Sequence, residues 1–374
     1  MKLQQPGQHQ ITSNVPSENE VIIAAAGGGK TTRIVNRVLQ SLTERAALLT
    51  YTQVNTEEIG RKIYSENAAI PSNVEVWSWF SFLLKEMARP YQSCLHKKRI
   101  DGLLWCNERS AKYVAERDTG KFYFTHDRFI YSDKLAQFVV ACNQASNGAV
   151  IRRIEQRFDR IYIDEIQDMA GYDLEVIELL LRSSIKLIMV GDHRQATFST
   201  NNAAKNKEFR GINIINKFKQ WEKIKLLALT FESETHRSNQ TIASFADTLF
   251  PNIPLTTSTN SEITGHDGVF VIGSSMVEDY VINFNPQILR YDKRTSCNGL
   301  DERARNYGEC KGLTFNRVLI FPNGKATQWL ITGNYSHIQA SVAKMYVGIT
   351  RARHSVAFVL DKNTVIANLN KAEW

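Results

Sequence analysis

Short, almost wholly apolar runs punctuate the chain at residues 21–25, 46–51, 74–77, 161–164 and 185–190, and again at 226–231, 269–272, 317–321 and 356–360. They are too short for helices, are rich in β-branched residues and are followed by stretches with apolar positions at helical spacing, as in Ile34, Val35, Val38 and Leu39 after the first run. This alternation predicts parallel α/β sheets whose strands are buried on both faces. The polar, Lys- and Asn-rich stretch 201–225 separates the two series. It predicts two lobes, 1–225 and 226–374. Residues from about 85 to 155 lack the strand–helix rhythm and read as a small helical insertion in the first lobe. The sequence shows no internal repeat and no low-complexity segment.

Two of the predicted strands end in chemistry. The first runs into Ala24-Ala25-Ala26-Gly27-Gly28-Gly29-Lys30-Thr31-Thr32, so the glycines lie in a strand-to-helix turn. Small residues there let backbone N–H groups close around phosphate oxygens at a helix N-terminus, with Lys30 reaching the β/γ-phosphates and the Thr31 hydroxyl available to Mg²⁺. The fourth run ends in Asp164-Glu165-Ile166-Gln167-Asp168. Adjacent carboxylates at a strand end suit a metal held by Asp164 through water and a proton accepted by Glu165 from an attacking water. Together the two segments predict a site that binds and splits ATP with Mg²⁺.

Composition narrows the partners. A length of 374 residues with 43% hydrophobic positions is ample for two cores and argues against disorder. No run reaches the eighteen or so apolar residues of a membrane span, and the polar first twenty residues lack a signal-like apolar stretch, which predicts a cytosolic protein. Five cysteines without a Cys-x-x-Cys pair predict neither a zinc site nor a disulfide framework. The net charge of +8 favours a polyanionic partner. Its basic residues gather in 85–121, 205–225 and 290–317, interleaved with Trp105, Tyr113, Phe218, Trp221 and Tyr291, as phosphate-backbone contact would require.

Further segments fall into an ordered set. Leu49-Thr50-Tyr51-Thr52-Gln53-Val54-Asn55, Val76-Trp77-Ser78-Trp79-Phe80, Gly191-Asp192-His193-Arg194-Gln195, Thr235-His236-Arg237-Ser238, Lys311-Gly312-Leu313-Thr314-Phe315 and Tyr346-Val347-Gly348-Ile349-Thr350-Arg351-Ala352 follow one another with the two segments above. In this order the chain resembles the UvrD/Rep group of superfamily 1 helicases over nearly its whole length, most specifically in the match of residues 164–168 to that family's "DE-x-QD". The resemblance implies two RecA-like lobes with ATP between them. It makes Gln195 the γ-phosphate sensor, Arg237 and Arg351 paired arginine fingers, and His236 a ring that stacks on the base. Ala24, Gly27, Gly28, Gly29, Lys30, Thr31, Thr32 and Gly312 are then nucleotide contacts, and Gln10, with Gln8 as the alternative, reads adenine. Thr52, Asn55, Trp79 and Phe198 hold single-stranded DNA, whereas Trp77 reads as a core residue.

Departures are equally specific. The aromatic wedge that the family carries beyond the Gln motif is replaced by Thr200-Asn201-Asn202-Ala203, leaving Phe198 to compensate, and Thr314 replaces the Glu used near the ribose. Residues 124–127 resemble a "THD" element of the F-box helicase branch. Only about seventy residues separate Ser238 from Lys311, too few for the large helical insertion of full-length relatives. The expectation is an ATP-dependent 3′→5′ DNA helicase or single-strand translocase acting on single-stranded or tailed duplex DNA. The alternative is a DNA-stimulated ATPase subunit that gates a partner such as a nuclease in repair or phage defence.

Overall fold

The computed structural model describes residues 18–41, 43–125, 128–201 and 203–360. In chain order its first lobe contains β1 (Glu20–Ala24), α1 (Lys30–Gln40), β2 (Ala46–Thr50), α2 (Gln53–Asn67), β3 (Val74–Ser78), α3 (Trp79–Phe82), β4 (Gly102–Leu104), α4 (Thr119–Tyr123), β5 (Phe129–Tyr131), α5 (Ser132–Ala145), α6 (Ala149–Arg157), β6 (Arg160–Asp164), α7 (Tyr172–Leu181), β7 (Lys186–Gly191), α8 (Ile214–Lys223) and β8 (Ala228–Glu232). Six of these strands form one parallel sheet in the order β3-β2-β6-β7-β1-β8.

The apolar runs are continuous because successive residues serve opposite faces. Val21, Ile23, Ala47, Leu49, Ile161 and Ile163 enter one core, while Ile22, Ala24, Leu48, Tyr162, Ile188 and Val190 enter the other. Each fully buried aliphatic side chain contributes about 1.5–3 kcal/mol, so interrupting a run with a polar residue would be costly. Parallel strands also point their carboxyl ends the same way. The loops after Ala24, Thr50, Ser78, Asp164 and Gly191 therefore gather along one edge of the sheet.

The second lobe comprises β9 (Glu234–Thr235), α9 (Gln240–Asp247), β10 (Thr257–Ser258), β11 (Gly268–Ile272), α10 (Val277–Phe284), β12 (Gln287–Arg290), β13 (Arg305–Asn306), β14 (Phe315–Phe321), α11 (Gly324–Thr332), α12 (Val342–Ile349) and β15 (Ala352–Val359). Its five-stranded sheet is again parallel, in the order β11-β15-β14-β12-β13, with separate apolar cores on its two faces. The expected pair of parallel α/β lobes is thus present. Among the described residues no helix is long and apolar enough to cross a membrane.

Two boundaries move. The strand expected to open the second lobe, β8, instead pairs with β1 at the margin of the first sheet, so the division falls after Glu232 rather than at 225. The reason lies in α8, whose Ile214, Phe218 and Trp221 pack into the first core. What reads as a polar linker is the outer face of a helix that returns the chain to the open side of β1. The insertion also narrows from the expected 85–155. Helices α5 and α6 bury Leu135, Phe138, Val139, Val150 and Ile154 in the first-lobe core. Among the described residues between about 89 and 131, the short α4 and a parallel β4–β5 pair stand apart from the main sheet, while Ile100, Phe122, Phe124 and Ile130 pack into the same core.

Candidate active site

The turn between β1 and α1 needs glycine for two reasons. Gly27 and Gly29 have φ of 80° and 70°, in the left-handed region that side chains disfavour. A Cβ on Gly27 would lie 2.5 Å from the Arg237 Cβ, and one on Gly28 would lie 2.8 Å from the Glu234 carbonyl. The second lobe therefore packs directly on the loop, where the Thr235 hydroxyl donates to the Ala26 carbonyl (2.6 Å) and the His236 N–H to the Gly27 carbonyl (3.1 Å). Gly29 caps α1 without a side-chain bond, which leaves the first-turn N–H groups facing the cleft. Among the described residues Lys30 donates to the carbonyls of Ala25 (3.3 Å) and Ala24 (3.5 Å). Burial lowers its pKa against the pull of Asp192, Glu165 and Asp164. Ala24 thus acts through its carbonyl, behind the loop, and Thr32 accepts a bond from Lys62 at the cleft margin.

Strand β6 delivers the acids. Asp164 accepts from the Thr31 hydroxyl (2.8 Å) and from the N–H of Glu165 (2.9 Å), which joins the two segments singled out in the sequence. Burial, then the charge of Glu165, raises its pKa to about 6. Glu165 itself adopts φ 55° and ψ 40°, a strained conformation for a residue with a side chain, of the kind that concentrates at functional sites. Gln167 secures its carboxylate and accepts from the Asp192 N–H (3.0 Å), so one amide spans the loops of β6 and β7. Burial would raise the Glu165 pKa, but Lys311, Lys30, the Gln167 bond and Arg351 together hold it below the usual range.

The opposite wall supplies cations. Arg351, 1% exposed, donates to Gln195 Oε1 (2.7 Å) and to the carbonyls of Val347 and Leu313 (3.2 Å each). Burial, then Arg237, lowers its pKa to about 9. Arg237 donates to the Thr350 carbonyl (3.1 Å), and Gln195 donates to Asp192 (3.0 Å). Lys311 crosses the cleft to pair with Asp168 (2.6 Å) and Glu165 (3.6 Å). Arg194 does the converse from the first lobe, pairing with Asp192 (2.8 Å) and with Asp247 on α9 (3.5 Å). His236 stands exposed at the rim, where it meets Thr259 (2.7 Å) and Glu234 (3.4 Å).

One cleft of about 660 Å³ unites these groups: Gly27, Gly28, Gly29, Lys30, Thr31, Thr32, Asp164, Glu165, Gln195, His236, Arg237, Gly312 and Arg351 all line it, as do Thr52, Asn55 and Phe198. Thr52 also caps α2 by accepting from the Asn55 N–H (3.1 Å), and Phe198, 46% exposed, lies under Lys311. Trp79 is the exception among the expected strand contacts. It is 0% exposed and donates its indole N–H to Asp173 (2.8 Å), so it cannot stack on a base. The chain turns from β3 into α3 at Ser78, and the first helical side chain drops into the core. Trp77, expected in the core, packs against it from a partly buried position beneath Lys85. Gln8, Gln10, His126, Asp127 and Asn202 lie outside the described residues. Lys311, Gln167, Asp192 and Arg194 are the site residues that sequence reasoning misses, although each sits inside one of the ordered motifs.

Residues 83–220 match the UvrD/REP helicase N-terminal domain. No curated protein matches the chain. Among solved structures, the arterivirus nonstructural protein 10 helicase aligns with a TM-score of 0.50 at 12% identity, over 92% of this chain and 60% of that one. The PRRSV helicase aligns at 0.44 and 14% identity over 92% and 52%, and a complex of arterivirus nonstructural protein 10 with DNA at 0.49 and 12% over 93% and 62%. The first of these likenesses shows a shared fold. The chain spans about 60% of the length of that helicase.

Proposed function

We propose that this chain is a UvrD-like superfamily 1 enzyme, an ATP-dependent 3′→5′ DNA helicase or single-strand translocase that couples hydrolysis to closure of its two lobes, a reading supported by the family match over residues 83–220 and by the fold. The observation that carries the reading is the 2.7 Å bond from Arg351 to Gln195. It ties a second-lobe cation to the first-lobe loop that also holds Asp192 and, through Gln167, Glu165. DNA and polarity rest on the family resemblance.

The donor set fits Mg·ATP. Glycines that no Cβ can replace, helix N–H groups without a side-chain cap and a lysine bonded to two backbone carbonyls form a cradle for phosphate oxygens. Thr31 and Asp164, already 2.8 Å apart, would hold Mg²⁺, which needs only one or two protein oxygens. The metal supplies charge neutralisation at the phosphates. Glu165 takes the proton of the attacking water and is kept ionised for that task by Lys311 and Lys30. Arg237 and Arg351 meet the charge that develops in the transition state, which is where preorganised cations count most. Because they belong to the second lobe, turnover depends on the lobes being shut. Thr52, Asn55 and Phe198 hold the strand beside this cleft.

The thin insertion, from about 89 to 131, favours one alternative: a DNA-stimulated ATPase that gates a protein partner without robust unwinding of its own. ATP turnover with and without single-stranded DNA, followed by strand displacement on tailed duplexes of both polarities, tests both readings. DNA-stimulated turnover that Lys30→Ala and Glu165→Gln reduce by roughly 10³-fold or more is expected. Turnover undiminished in either variant would sink the assignment.

A further inference from the structure

We infer that Trp105 is a base-stacking contact for single-stranded nucleic acid, supplied by the insertion; this rests on the proposed reading of the cleft as strand-binding. Trp105 is 64% exposed, unusual for the side chain with the most apolar surface to hide. It is also placed with care. Its ring packs edge-on against Phe80 (centroids 4.8 Å, 73°), and Phe80 tilts against Tyr51 (5.9 Å, 54°), which lines the cleft next to Thr52 and Asn55.

Three rings therefore run in contact from the cleft to the insertion surface. Tyr51 and Phe80 follow the carboxyl ends of β2 and β3, so the parallel sheet fixes two of them. The third is fixed by its neighbours: Leu104 ends β4, and the Cys106 N–H is held by the Ser132 hydroxyl (2.9 Å) at the start of α5. A pre-set aromatic face with one side open is the usual sequence-tolerant grip on an unpaired base, and the sugar does not enter the contact. The position where the family carries its wedge holds Thr200, which is buried and donates to Asp173 (2.5 Å). Trp105 thus adds a second exposed ring to Phe198, on a segment outside the main sheet.

The test is fluorescence anisotropy of the full chain with labelled oligothymidylate and oligouridylate across a salt series. Trp105→Ala is expected to weaken binding roughly 5- to 100-fold on both probes, and Trp105→Phe to stay within about threefold of the parent. The slope of log affinity against log salt should not change, because no phosphate contact is lost. Melting by circular dichroism should coincide for the three proteins. Parental affinity in Trp105→Ala, as a protein-docking role for the ring would give, overturns the inference and leaves the helicase reading standing. So does a loss accompanied by a shallower salt slope. If the parent binds neither probe, the inference and the strand-binding reading fall together.

Discussion

The two walls of the cleft hold their charges in different ways. On the first-lobe wall Thr31 is bonded to Asp164, Glu165 to Gln167, and Asp192 to Arg194 and Gln195. On the second-lobe wall Arg237 and Arg351 are held by the carbonyls of Thr350, Val347 and Leu313, and among the described residues neither forms an ion pair. A carbonyl orients a guanidinium without neutralising it, so these cations keep their charge for whatever enters the cleft. The first wall pairs most of its charges internally, with Lys311 as the cation it takes from the second lobe. The second is built for an occupant, and its buried charge is a cost until one arrives.

The strongest way to break this contrast is Arg351→Met. On the proposed reading of Arg351 as an arginine finger, its loss is expected to lower ATP turnover by roughly 10³- to 10⁵-fold. Without nucleotide, the melting temperature should hold or rise, because burial and Arg237 both disfavour the Arg351 charge. Turnover assays and calorimetry check the two halves separately. A drop of several degrees in melting would mean that the guanidinium is a structural group and that the second wall is as self-contained as the first.

Lys311 sharpens the comparison, since it is the second-lobe cation that does find carboxylates, Asp168 and Glu165, and they belong to the other lobe. Lys311→Met should reduce turnover by roughly 10- to 100-fold, with Lys311→Arg restoring part of it. Its pH profile carries the sign. Lys311 is the largest influence holding the Glu165 pKa down against burial, so its removal raises that pKa and moves the acid limb of the turnover profile to higher pH. An unshifted limb would confine Lys311 to pairing with Asp168, whose own pKa burial raises to about 7.

The same contrast explains what could be read from the chain. Lys30, Thr31, Asp164 and Glu165 stand at the ends of apolar runs, and the physics of parallel strands places such ends together, so the first wall was legible from spacing alone. Arg237 and Arg351 have no local signature. A guanidinium bonded to carbonyls looks, in sequence, like any surface arginine, and only the order of motifs brought both to the cleft. Periodicity ran out at two kinds of place. It cannot say which sheet an edge strand joins, which misplaced β8, nor which way a side chain turns once a strand becomes a helix, which put Trp79 inside the core rather than at the cleft. Phe80 and Trp105 show the same limit: their contact joins residues with no shared pattern.

The smallest effect expected is on the frame behind the first wall. Asp173 accepts from Trp79 (2.8 Å) and Thr200 (2.5 Å), the Ala170 N–H donates to the Thr200 hydroxyl (3.0 Å), and the Thr200 N–H donates to the Asp168 carbonyl (2.9 Å). All of these residues belong to the first lobe. Burial raises the Asp173 pKa from 3.8 to about 6, with the bonds from Thr200 and Trp79 opposing it. A carboxyl with a raised folded-state pKa keeps a proton that the unfolded chain has already lost, so its contribution to stability falls as pH climbs from about 4 through about 6 and is level above that. Asp173→Asn keeps an acceptor for the indole and a donor for Thr200 but removes the titration. The variant should therefore gain on the parent by on the order of 2 kcal/mol between pH 4 and pH 7, read as a difference in melting temperature of a few degrees. Because this frame meets the second lobe through the Lys311–Asp168 pair and not through Arg351, the gain should be the same in the parent and in the Arg351→Met background, whereas a gain that depends on residue 351 would show that the second wall reaches through the cleft into the core of the first.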